Sequence, residues 1–128
     1  MINYLTFADK SNMASLRLPS STRRYKQYQL KAAKVRGCFL CKKTPRQHFK
    51  YWKIVRNSFP YDQIARVHNM LVPHRHVSEQ SLNRAELAEL RAIKRTFVNE
   101  RYDYVIESTE KNRSVPDHFH LHLIVGRT

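Results

Sequence analysis

The chain has 128 residues, 41% of them hydrophobic, with two glycines and a formal net charge of +14. That length allows one domain with a real core and excludes two; no apolar run approaches the roughly 20 residues of a membrane span. The charge is uneven: residues 1–56 hold 14 Lys/Arg against one acid, Asp9, for +13, and residues 57–128 hold 10 against 9, for +1. Such a gradient points to a polyanionic partner or substrate, with a solvated basic tail as the plainer reading.

Met1-Ile2-Asn3-Tyr4 starts no basic stretch followed by an apolar one, so no signal peptide is expected and the expected compartment is cytoplasmic. Pro19-Ser20-Ser21 reads as a loop. Residues 22–36 suit a basic helix, with Tyr25, Tyr28, Ala32 and Val35 on one face and Gly37 as its C-terminal cap. A compact Cys38-Phe39-Leu40-Cys41 knuckle follows, ended by Pro45. Tyr51 to Val55 reads as a strand, Asn57 to Asp62 as a turn, and Asn69 to Val72 as a short apolar strand stopped by Pro73. Asn83 with Glu86 forms a helix start of capping-box type. Leu87, Leu90, Ile93 and Phe97 then mark a core-facing helix over roughly residues 84–99. Tyr102 to Ile106 is a third strand, a polar loop with Pro116 follows, and His118 to Val125 is a fourth strand. Strands with short connections around one long helix predict an α+β domain with a mostly antiparallel sheet. Residues 1–36 form a basic N-terminal extension to a domain at 37–128.

The last strand carries the strongest signal. His118-Phe119-His120-Leu121-His122-Leu123-Ile124-Val125 alternates imidazoles with apolar residues. A strand has a side-chain period of two, so the three imidazoles share one face and Phe119, Leu121 and Leu123 the other. Packing alone rarely selects such a row. Imidazole titrates near neutrality and binds metals, so the row points to chemistry.

Cys38 and Cys41 are the only cysteines, and Cys-x2-Cys is a common half of a tetrahedral zinc site. The other half comes from elsewhere. His76 and His118 are the first candidates, and His48 or His74 offer a local alternative. A thioredoxin-like redox pair lacks the βαβ pattern it needs.

The triad segment resembles the signature of the histidine-triad (HIT) family, His-φ-His-φ-His-φ-φ with φ apolar. His68-Asn69-Met70-Leu71-Val72-Pro73-His74-Arg75-His76 is similar to that family's His-x-φ-φ-φ-Pro-x-x-His segment. Cys38 to Cys41 resembles the Cys-x-x-Cys of its zinc-bearing bacterial branch, and Asn57-Ser58-Phe59-Pro60-Tyr61 its nucleotide-lining segment. The four motifs stand in the family's order across roughly residues 37–125. The resemblance implies a HIT-like fold and nucleotidyl transfer or hydrolysis at an α-phosphate. It implies His120 as nucleophile, His122 as an α-phosphate donor and His68 as a phosphate-side contact. Asn57, Phe59, Pro60 and Ser114 would bind substrate, and Cys38, Cys41, His76 and His118 would hold a structural zinc. The implied substrates are dinucleoside polyphosphates or nucleoside phosphoramidates, and a homodimer is among the family's arrangements.

Departures from the family pattern define the other readings. Glu107 stands where the family often has Asn, a carboxylate beside a phosphate. Val115 stands where it has Ser or Gln, with Ser114 one residue back. The +13 segment suggests aprataxin-like removal of adenylate from nucleic-acid ends, with Tyr25 and Tyr28 stacking bases. Glu107 and the displaced Ser114 suggest a non-catalytic, zinc-stabilised nucleotide or nucleic-acid binding module.

Overall fold

A computed structural model describes residues 15–32, 34 and 37–128. Residues 1–14 and Val35 of the N-terminal expectations lie outside the described residues. The elements are α1 (Pro19–Ala32), α2 (Phe39–Lys42), β1 (Gln47–His48), β2 (Trp52–Arg56), β3 (Ala65–Pro73), α3 (Arg84–Ile93), α4 (Asn99–Arg101), β4 (Tyr104–Ile106) and β5 (Leu121–Gly126). A π-helical turn, Lys94–Val98, joins α3 to α4. The five strands form one sheet in the order β1-β2-β3-β5-β4, and every neighbouring pair is antiparallel. The α+β architecture expected from the sequence is therefore present. Among the described residues no helix is long and apolar enough to cross a membrane.

Both faces of the sheet are covered. On one, Trp52, Ile54, Leu71, Leu121 and Leu123 pack with Phe119 against Leu90, Ile93 and Val98. On the other, Val55, Met70 and Val72 pack against Leu40 of α2, with Cys38, Phe39 and Val115 at the margin. Strand alternation sorts the residues between the faces. Met70 is opposite His122 and Val55 opposite Met70, so the histidine face is the α2 face.

α3 opens with the expected capping box: Asn83 Oδ1 accepts from the Glu86 amide at 2.8 Å, and Glu86 Oε1 accepts from the Asn83 amide at 2.9 Å. Leu87 departs from expectation, since it is 47% exposed. Each three-residue step falls short of a full turn, so Leu87 lies about 120° around the helix from Ile93. Glu86, Leu90 and Ile93, at intervals of four and three, form the buried stripe instead. Glu86 is only 1% exposed, and its carboxylate receives Arg75 Nη2 at 2.6 Å and Arg75 Nε at 3.1 Å. Arg75 thus clamps the segment after β3 onto α3. Trp52 Nε1 donates to the Glu86 carbonyl at 2.8 Å, which satisfies the one polar atom of a fully buried indole.

The N-terminal helix begins at Pro19, earlier than the residues 22–36 expected, and Pro at the first helical position costs no hydrogen bond. Asp62 holds this end. Its Oδ1 accepts from the Leu18 amide at 2.8 Å and its Oδ2 from the Ser21 hydroxyl. α1 is described as far as Ala32, and residues 33, 35 and 36, over which the expected cap by Gly37 would be judged, lie outside the described residues. Gly37 turns the chain into the knuckle with φ of +98°, a left-handed conformation that glycine adopts without a Cβ clash.

Candidate functional site

β5 starts at Leu121, so His118, Phe119 and His120 lead into the strand rather than lie inside it. The alternation persists: Phe119 joins the α3-side core, and His118, His120 and His122 turn to the other side. All three are buried, because α2 and the segments around it cover that face.

His118 meets Cys38, Cys41 and His76. The ligand atoms of these four residues all lie within 4.8 Å of one another. His118 Nδ1 is 3.4 Å from Cys38 Sγ, 3.3 Å from Cys41 Sγ and 3.3 Å from His76 Nδ1, and His76 Nδ1 is 3.4 Å from Cys41 Sγ. Zn–N and Zn–S bonds of ordinary length in a tetrahedron put N···N at about 3.3 Å and S···N at about 3.6 Å. Two soft thiols and two imidazoles at this spacing fit a four-coordinate metal ion. His118 Nε2 donates to the Pro73 carbonyl at 2.9 Å; a carbonyl only accepts, so Nδ1 is the unprotonated nitrogen aimed at the centre. The chain segments carrying the ligands are pinned as well. Lys53 Nζ reaches the Cys41 carbonyl at 3.3 Å, and the Phe119 amide donates to the Val77 carbonyl at 2.8 Å. The local alternative does not form. The His48 and His74 rings lie against each other, tilted by 32° with centroids 5.7 Å apart, and His74 Nε2 donates to the Phe49 carbonyl.

His120 lies on the other side of this cluster. Its Nδ1–H donates to the His118 carbonyl at 3.1 Å, so Nε2 carries the lone pair. Burial holds this imidazole below the usual histidine range, with Arg113 adding to the effect. The ring lines a cavity of about 610 Å³ together with His122, Asn57, Phe59, Tyr61 and Ser114.

A relay of three groups stands beside it. The Tyr61 amide donates to His68 Nδ1 at 2.9 Å, which puts the His68 proton on Nε2. That N–H donates to His122 Nδ1 at 2.8 Å, which puts the His122 proton on its own Nε2. His122 Nε2 lies 3.2 Å from the Tyr61 hydroxyl, which also bonds the Ser108 side chain. Burial keeps His68 and His122 neutral, with pKa values lowered to about 3 and about 2. The register explains the meeting: His68 is opposite Ile124 and Met70 opposite His122, so the two imidazoles are diagonal neighbours on one face.

The other expected site residues divide. Asn57, Phe59 and Ser114 line the cavity; Pro60 and His68 do not. Asn57 Oδ1 is taken by the Phe59 amide at 2.8 Å, which shapes the turn. Glu107 lines the cavity and is met by Arg113 Nη2 at 3.4 Å, an ion pair that offsets its charge. Tyr25 and Tyr28 of α1 do not present free stacking faces: Phe59 covers both, with ring centroids 5.3 and 4.7 Å away. Arg17 also lines the cavity, and no motif in the sequence marked it.

The fold is shared with histidine-triad proteins. The chain is similar to a HIT family hydrolase from Legionella pneumophila Philadelphia 1, with a TM-score of 0.53 and 22% identity over 72% of this chain and 95% of that one. It is similar to a histidine triad protein from Clostridium difficile, with a TM-score of 0.52 and 19% identity over 71% of this chain and 90% of that one. A HIT family hydrolase from Clostridium thermocellum gives a TM-score of 0.50 and 17% identity over 73% and 93%. No family model matches the chain, and no curated protein does. The class defined by fold and site together is thus a HIT-fold protein with a metal-type Cys2His2 cluster beside its triad.

Proposed function

We propose that this chain is a nucleotide hydrolase or nucleotidyl transferase that acts at an α-phosphate through His120. The observation that carries this reading is the state of His120: neutral, with Nδ1–H tied to the His118 carbonyl and an unprotonated Nε2 on a ring that lines the cavity. Neutral imidazole is a good nucleophile near pH 7. In the first step the Nε2 lone pair attacks the α-phosphorus, and the bridging bond breaks with its electron pair on the leaving group, which takes up a proton. The imidazole becomes cationic, and the His118 carbonyl stabilises its Nδ1–H. In the second step water or another acceptor attacks the phosphorus, loses a proton, and the P–N bond breaks to return the pair to Nε2. His122 Nε2–H is the donor for a phosphoryl oxygen as charge develops. His68 is a positioning residue in this scheme, because its contact is with His122 and not with the cavity.

Zinc is the metal proposed for Cys38, Cys41, His76 and His118, and it would be structural, since four protein ligands leave no open position. It would fasten α2 to the segment that presents His120. A second reading, removal of adenylate from nucleic-acid ends, draws support from α1, whose Lys26 lines the cavity and whose Arg23, Arg24 and Lys31 are exposed.

AMP release from adenosine phosphoramidate, diadenosine tetraphosphate and 5′-adenylated DNA tests both. Release by wild type that falls at least about 10³-fold in His120→Ala is the expected result. No release from folded, zinc-loaded wild type on any of the three would overturn the catalytic reading.

A further inference from the structure

Arg17 is a cation brought into the cavity by the segment ahead of α1. Its neighbours on both sides are anchored. The Gln63 amide donates to the Leu16 carbonyl at 3.1 Å, and the Leu18 amide donates to Asp62 at 2.8 Å. The guanidinium carbon stands 4.0 Å from the Tyr25 ring centroid and 4.8 Å from that of Tyr61. Tyr61 in turn is 4.8 Å, centroid to centroid, from His122. Arg17 Nε donates to the Phe59 carbonyl at 2.8 Å. A guanidinium has five N–H donors, so four remain on the two terminal nitrogens.

The partners it lacks are as informative. The ion pairs of the described residues are Arg75–Glu86, Arg101–Glu100, Arg113–Glu79 and Arg113–Glu107, and Arg17 is in none of them. Burial lowers its pKa, the sign of a cation removed from water without full compensation. Further cations line the cavity: Lys26 and Lys43 join Arg17 there, while the carboxylate that lines it, Glu107, is met by Arg113. His122 is held neutral by burial and supplies no charge. A single α-phosphate does not match this surplus; a chain of phosphates does.

We propose that Arg17 receives a phosphate beyond the α-phosphate, so that the bond broken is a phosphoanhydride rather than the P–N bond of a phosphoramidate. This rests on the nucleotide reading and names its substrate class. A dinucleoside polyphosphate and a 5′-adenylated nucleic-acid end share this linkage. Guanidinium suits it, because its planar fork pairs with phosphate oxygens through two parallel hydrogen bonds.

The test is calorimetric binding of AMP and ADP to zinc-loaded His120→Ala, alone and combined with Arg17→Gln or Arg17→Lys. ADP should bind roughly 10- to 100-fold more tightly than AMP, as expected for charge-assisted hydrogen bonds. Arg17→Gln should erase that advantage and Arg17→Lys keep part of it. Equal binding of AMP and ADP, or an advantage that survives Arg17→Gln, overturns the proposal. In turnover, Arg17→Gln should lower the ratio of kcat/KM for diadenosine tetraphosphate over adenosine phosphoramidate by a similar factor; an equal loss on both substrates overturns it. A parallel arm with 5′-adenylated DNA identifies the source of the anhydride, since binding of a nucleic-acid tail falls steeply with salt. If wild type and His120→Ala bind neither nucleotide, both readings fall. If ADP is preferred through Arg17 yet wild type releases no AMP, the catalytic reading and the anhydride cleavage fall, and only the contact of Arg17 with a distal phosphate stands.

Discussion

The metal-type cluster and the cavity each take a histidine from the same short segment, yet they hold it in opposite ways. His118 gives its Nε2–H to the Pro73 carbonyl and keeps Nδ1 bare; His120, two residues on, gives its Nδ1–H to the His118 carbonyl and keeps Nε2 bare. In the cluster, four ligand atoms converge on one centre and leave no donor for a substrate. Beside it, His68 passes a hydrogen bond to His122, and His120 lines the cavity with its Nε2 unprotonated. Residue type does not separate the two roles. The acceptor opposite each ring does, because a neutral imidazole has one proton and the carbonyl decides which nitrogen carries it.

The largest effect that sharpens this contrast comes from comparing His118→Ala with His120→Ala. Loss of His118 should release the metal and lower Tm by about 10–20 °C, since metal binding is folding free energy in such a site. Chelation of wild type should reproduce that drop. Loss of His120 should move Tm by only about 5 °C and retain one metal per chain by elemental analysis, while abolishing AMP release. Matching Tm losses in the two variants would erase the division between the regions.

A smaller effect is expected at His68. Replacing it with Gln removes a hydrogen-bond partner of His122 without touching the cavity wall, so kcat should fall roughly 10-fold with KM nearly unchanged. A change confined to KM would place His68 among the groups that bind substrate.

The smallest effect is in stability against pH. His68 and His122 have folded pKa values of about 3 and about 2, below the unfolded value of 6.5. The unfolded chain therefore takes up protons first. Their stabilising contribution is complete above about pH 6.5 and is lost as pH falls from there toward 3. Urea unfolding at pH 7 and pH 5 should differ by roughly 1–2 kcal/mol per buried histidine, and His68→Gln should lose its share of that difference. Equal pH sensitivity in wild type and His68→Gln would show that His68 is not held neutral by its surroundings.

Local signals identified what depends on local spacing. The triad alternation, the Cys38/Cys41 pair, the Asn83–Glu86 cap and the central strands are patterns of period, turn chemistry and capping, and each appears in the structure. The Leu87 position went astray because three-residue steps drift around a helix and Glu86, held by Arg75, takes the buried place. β1 has two exposed residues, Gln47 and His48, and no apolar pattern to announce it.

By itself the sequence determined which chemistry the chain has to hand: two thiols, a face of imidazoles and a basic N-terminal segment. Only the tertiary structure decided the assignments. It joined Cys38 and Cys41 to His76 and His118 across 35 residues or more, set His118 and His120 in opposite tautomers, and used Asp62 to bring Arg17 to the cavity. The reason is physical. A side chain's charge, proton and ligand geometry depend on the burial and the hydrogen-bond partners around it, and those partners come from distant parts of the chain.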